Sequence, residues 1–115
     1  MSGPEVLERR VRLSRLYDLY APLLTERQRR VYELHELDDL SLSEISQELS
    51  ISRQGVSDQL TRARDRLEEL EKLLGMADAF SRIGAEAQAI LNGGDARKCA
   101  DRIIDVCEGR TMTDV

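Results

Sequence analysis

The sequence has no tryptophan and only four aromatic side chains, Tyr17, Tyr20, Tyr32 and Phe80. Its core must therefore be built mostly from aliphatic groups. Sustained alternating runs of β-branched residues are missing, which argues against strands. Two prolines and seven glycines in 115 residues leave long stretches free of helix breakers. No apolar stretch approaches a membrane span, and the N-terminal MSGPEVLERR lacks the apolar core of a secretion signal. These absences lead to the expectation of a cytoplasmic protein without a membrane span.

Chemistry-bearing residues are also sparse. The two cysteines, Cys99 and Cys107, form no CxxC pair. They have no companion histidine, so neither zinc nor another metal is expected. Eight residues along a helix is roughly 12 Å, too far for a disulfide. Both are expected to be small buried apolar side chains. His35 is the single histidine and has no ligands at metal spacing, so it reads as a surface or capping residue. Asp38-Asp39 reads as solvated turn chemistry beside a helix cap. Neither a nucleophile-base set nor a phosphate-cradling glycine loop is found. A non-enzyme without cofactors is expected.

What is present is helical periodicity. With 34% charged and 41% apolar residues, the composition suits a soluble helical domain. Leu13, Leu16, Tyr17 and Tyr20 fall at i, i+3, i+4 and i+7 on a first helix from about Glu5 to Tyr20, which Pro22 ends. Thr25-Glu26-Arg27-Gln28 is a capping box for a second helix, about Glu26 to Glu36, burying Val31 and Leu34. Asp38-Asp39 is the linker. Ser41-Leu42-Ser43-Glu44 is another box, opening a short helix with Ile45 and Leu49 facing inward. Ser50-Ile51-Ser52 is the turn, with Ile51 as a plug and Ser52 as the next N-cap. The fourth helix carries Val56, Leu60, Ala63, Leu67, Leu70 and Leu74 in steps of 4, 3, 4, 3 and 4. That is a 3.5-residue repeat of the coiled-coil kind. Gly75 is the expected stop.

Beyond it, Ala77, Phe80, Ile83, Gly84, Ala87, Ile90 and Leu91 have helical spacing, closed by Asn92-Gly93-Gly94. Asp95 caps a last helix with Cys99, Ala100, Ile103 and Cys107. The tail from Arg110 to Val115 has no pattern and reads as frayed. The expected fold is all-α: a helix-turn-helix tetrahelical unit over residues 1-75, then a C-terminal helical extension over 76-115. The extension is expected to pack on the first unit or to mediate a homodimer.

Ile45, Leu49, Ile51, Val56 and Leu60 supply the inward residues of a helix-turn-helix. The early outward face of its second helix carries the candidate nucleic-acid-binding residues: Ser52, Arg53, Gln54, Ser57, Asp58, Thr61, Arg62 and Arg64. Arg and Gln suit bidentate contacts to guanine and adenine, and outer residues reach phosphate. Gly55 would let a backbone approach closely.

The pieces LLTERQ, DDLSLSEIS and SISRQGVSD, within a match from about Leu13 to Gly75, resemble the YlxM family of small bacterial proteins. That family is similar in turn to the helix-turn-helix region four of sigma factors. The resemblance implies a cytoplasmic helical protein whose gene lies beside those of the signal recognition particle. It implies a regulatory role in that pathway, through nucleic acid or through the particle's protein parts. A complete sigma factor also needs a region that binds core polymerase. With 115 residues leaving no room for one, a stand-alone sigma factor is not expected.

Charge complicates the DNA reading, because the chain carries a net charge of -5. From Ser52 to Arg66, four arginines stand against two aspartates. From Glu33 to Glu48, six acidic residues stand against no Lys or Arg. An acidic helix lying across the backbone would be repelled by phosphate, and few phosphates would be neutralised. Dimerisation would pair two reading helices. Otherwise the partner is a basic protein or a structured RNA, with Arg9, Arg10, Arg12, Arg15, Arg27, Arg29 and Arg30 as a second basic face. Two functions stay open: a nucleic-acid-binding regulator, or an adaptor of signal recognition particle components without specific DNA binding.

Overall fold

Thr25 and Ser41 each close a reciprocal pair of hydrogen bonds, and those pairs set where two of the helices begin. Thr25 Oγ1 accepts from the Gln28 amide at 3.1 Å, while the Thr25 amide donates to Gln28 Oε1 at 3.0 Å. Ser41 and Glu44 repeat the arrangement at 3.1 and 2.9 Å. In each case two otherwise orphaned amides are satisfied locally. A computed structural model describes residues 3–109. Its helices are α1 (Gly3–Tyr20), α2 (Glu26–Tyr32), α3 (Leu42–Leu49), α4 (Arg53–Leu74), α5 (Met76–Leu91) and α6 (Ala96–Cys107). The protein is all-α, with no strand among the described residues. The tail expected to fray, 110–115, lies outside those residues.

The chain divides into two compact units, Met1–Leu74 and Gly75–Val115. In the first, α4 is the central pillar and packs on α1, α2 and α3. Its inward stripe of Val56, Leu60, Ala63, Leu67 and Leu70 is buried. Against it lie Leu13, Leu16, Tyr17 and Tyr20 of α1, Val31 and Tyr32 of α2, and Ile45 of α3. Tyr17 and Tyr32 stack with ring centroids 4.6 Å apart, so two of the few aromatics meet in one contact.

Pro22 ends α1 as expected, and the chain continues through one 3-10 turn, Ala21–Leu23. The second helix departs from expectation. After Tyr32 it widens into a π turn, Glu33–Leu37, in which the Asp38 amide reaches back to the Glu33 carbonyl at 3.0 Å. Asp39 then adopts a left-handed conformation, φ 60°, which its short polar side chain tolerates. His35 faces the Leu40 carbonyl at 3.0 Å through Nδ1. A carbonyl only accepts, so Nδ1 carries the proton and the ring closes the turn.

Three expectations need correction. Leu74 does not extend the α4 seam, because it is 53% exposed. Leu49 and Ile51 are half-buried rather than enclosed. Cys99 is buried but Cys107 is exposed: a stripe of small residues marks a face without saying where its neighbour stops.

In the second unit, α5 and α6 pair through the short connection from Asn92 to Asp95. Asp95 caps α6 by accepting from the Lys98 amide at 3.1 Å. Gly75, at φ +63°, precedes α5 in a left-handed conformation that strains any residue with a Cβ.

Candidate nucleic-acid interface

Ser46 builds the corner between α3 and α4. Its carbonyl accepts from the Ser50 amide, and from the Ile51 amide at 3.2 Å. Its hydroxyl donates to the Ile51 carbonyl at 2.5 Å. Ser50 takes the left-handed conformation, φ 56°, that reverses the chain. Ser52 Oγ then accepts from the Gly55 amide at 2.9 Å and caps α4. A Cβ at Gly55 would stand 3.1 Å from that oxygen. The close approach at Gly55 is therefore made by the turn's own cap.

Side chains advance about 100° per residue around α4. With Val56, Leu60 and Ala63 inward, the outward ridge is Gln54, Asp58, Thr61 and Asp65, all exposed. Arg53, Ser57 and Arg64 run along one flank and Arg62 along the other. Exposed Arg53 and Arg62 have no ion-pair partner among the described residues. Gln54 Nε2 donates to Asp58 Oδ1 at 2.9 Å, so its amide is already oriented. Ser57 is half-buried, and the Ser52 oxygen is engaged by its cap.

Arg64 differs from the rest. It donates to Glu36 Oε1 at 3.0 Å, while Arg10 reaches Glu36 Oε2 at 3.2 Å. Burial pushes the Glu36 carboxyl up, but Arg64 and Arg10 outweigh it and hold the group below its usual range. Arg12 grips Glu68 through Nε and a terminal nitrogen, the shortest contact being 2.7 Å. Glu33 accepts from Tyr17 and from Arg29. Burial, then the Glu33 hydrogen bond, raises the Tyr17 hydroxyl to about 12. The acidic stretch from Glu33 to Glu48 thus turns Glu33 and Glu36 toward arginines. Asp38, Asp39, Glu44 and Glu48 stay exposed. Of the seven arginines of the second basic face, Arg10, Arg12 and Arg29 are paired.

Over residues 7–101 the chain matches the model of the UPF0122 family, described as "Putative helix-turn-helix protein, YlxM / p13 like". The chain belongs to this family. It is 34% identical over 103 residues to the UPF0122 protein of Halalkalibacterium halodurans, covering 90% of this chain and 94% of that one. The UPF0122 protein of Caldanaerobacter subterraneus subsp. tengcongensis is 56% identical over 61 residues. That alignment covers 53% of this chain and only 52% of the relative. A UPF0122 protein of Thermoanaerobacter pseudethanolicus is 46% identical over 78 residues, 68% of this chain and 67% of that relative.

In this UPF0122 chain the sequence reading missed an open groove of about 420 Å³ lined by Val6, Arg9, Arg10, His35, Glu36 and Arg64. No local signal marks it, because the π turn and the Arg10–Glu36–Arg64 bridge create it. Glu5, Glu36 and Asp39 balance its three arginines, so it offers no net-charged seat. Among the described residues, no cluster of His, Cys, Asp or Glu could hold a metal ion and no helix is long and apolar enough to cross a membrane.

Proposed function

We propose that this protein is a cytoplasmic regulator that binds nucleic acid through the tip of α4, and that it acts by binding rather than by catalysis. Arg53 and Arg62 reach phosphates on either side of the ridge, and Gln54, Ser57 and Thr61 meet the base edges or sugar between them. Ser52 and Asp58 orient this set, and Arg64 is held in reserve by Glu36. The observation carrying the reading is the pair of exposed arginines without ion-pair partners among the described residues, flanking the first turns of the second helix of a helix-turn-helix. The resemblance described above directs the search for a target to the signal recognition particle pathway. A second reading, an adaptor for a basic protein component of that particle, draws support from exposed Asp38, Asp39, Glu44 and Glu48.

Fluorescence anisotropy with labelled duplex DNA and with signal recognition particle RNA, titrated at several salt concentrations, tests the first reading. The expected result is binding that weakens with salt. Arg53→Ala and Arg62→Ala should each lower the salt slope by about 0.9 for duplex DNA, as one lost phosphate contact does. Binding insensitive to both substitutions, or none to either polymer at low salt, would leave the adaptor reading in its place.

A further inference from the structure

The α5–α6 hairpin has one face that neither of its own helices covers. Glu86 and Arg102 lie nearly symmetrically about the Asn92-to-Asp95 turn, and their ion pair closes at 2.9 Å. The two helices are therefore antiparallel. Half-buried Ile83, Glu86 and Ile90 mark the side of α5 that meets α6. Cys99, Ile103 and Val106 mark the matching side of α6. At about 100° per residue, Phe80, Ala87 and Leu91 lie roughly a quarter turn beyond that seam on α5. Ala96, Ala100 and Ile104 lie roughly a quarter turn beyond it, in the same rotational sense, on α6. Equal rotations on antiparallel helices bring both stripes to the same side of the hairpin. Rotating the other way reaches Arg82 on α5 and Lys98 and Arg102 on α6, so these charges lie on the opposite side.

The two stripes carry no charge of their own, and Arg97, aligned with Ile104 along α6, borders them. Phe80 is 47% exposed, Leu91 80% and Ile104 48%. Only Ala77 and Cys99 are fully buried among the described residues of the two helices. Two helices with so little enclosed surface lack the core that a small unit needs to hold its shape.

We propose that this face pairs with the same face of a second copy of the chain, closing a four-helix bundle. Its relief fits itself. Counting outward from the turn, Leu91 of α5 stands level with Ala96 of α6, and Ile104 of α6 stands level with Gly84 of α5. A two-fold axis along the helices sets α5 of each copy on α6 of the other, so Leu91 meets Ala96 and Ile104 meets Gly84, as an isologous contact requires. The area also suffices. A 16-residue α5 is about 24 Å long, and two helices are about 20 Å across. Each copy therefore contributes roughly 500 Å², and two copies reach the ~1,000 Å² expected of a specific interface. The pairing does not depend on what α4 touches.

Sedimentation velocity on the full chain, from low micromolar to submillimolar concentration, tests it. The expected result is a reversible dimer. Phe80→Glu and Ile104→Glu, each placing a carboxylate inside the interface, should raise the dissociation constant about tenfold or more. Gln88→Glu, away from the face, should leave it unchanged, and circular dichroism should show helicity retained in all three. Cys107 gives an independent readout in the unmutated chain, because it is exposed on the same side of α6. Its alkylation should slow as protein concentration rises. A strict monomer throughout the range, Cys107 reacting at one rate, or a dimer indifferent to Phe80→Glu and Ile104→Glu would each overturn the proposal. So would a chain that stays monomeric alone and uses this face only for a different protein.

Discussion

Glu36 ties three helical segments together with one carboxylate. Its two oxygens reach α1 through Arg10 and α4 through Arg64, and it sits in the π turn between α2 and α3. Its side chain is only 14% exposed and that of Arg64 28%, so solvent screens this pair less than the one to Arg10, which is 61% exposed. Because its folded pKa is depressed, the stabilisation is fully present above the ordinary carboxylate value. It is lost as pH falls through the folded value, which lies below that ordinary one. Glu36→Gln keeps the shape but removes the charge. We expect it to lower stability at neutral pH by up to about 1.5–3 kcal/mol, the range for hydrogen bonds to charged groups. The acid limb of the stability curve should flatten. Urea midpoints from neutral to acid pH give both numbers, and an acid limb as steep as the parent's would assign the pH dependence elsewhere.

At the scale of elements, the boundaries were legible because caps are local. Thr25 with Gln28, Ser41 with Glu44, Ser52 with Gly55 and Asp95 with Lys98 each span three residues, within reach of a sequence pattern. Ser41→Ala should therefore destabilise the first unit by about 1 kcal/mol, as loss of an N-cap does. A lowered thermal midpoint would show it, with Ser43→Ala, outside the cap, as the control. The pieces that were not legible join distant positions. Arg10 and Glu36 are 26 residues apart, Arg64 and Glu36 are 28, and Arg12 and Glu68 are 56. The π turn was hidden as well, since Glu33–Leu37 carries no residue that breaks a normal helix. The candidate interface was half legible. Periodicity placed Arg53, Gln54, Thr61 and Arg62 outward. It could not show that Arg64 is held by an acid from another element.

At the scale of the whole molecule, the aromatic shortage becomes a tool. Tyr17, Tyr20 and Tyr32 all lie in the first unit, and there is no tryptophan. Tyrosine fluorescence therefore reports on that unit alone, whereas far-ultraviolet circular dichroism reports on both. In urea the two signals should not coincide. The fluorescence transition should stay fixed as protein concentration changes. The additional dichroism transition, from the hairpin, should move to higher urea as concentration rises, following its pairing. Superimposable, concentration-independent curves would mean that the two units unfold as one. The acidic ridge on α4 has its own consequence at this scale. Asp58 and Asp65 stand exposed between the flanks of Arg53 and Arg62, on a chain of net charge -5. A plain run of phosphates laid across that ridge meets repulsion at its centre. A target that offers a donor there, such as a cytosine amino group, does not. If α4 meets nucleic acid as proposed, the ridge would work as a sieve: it would give up general grip on polyanions and, in return, turn most of them away.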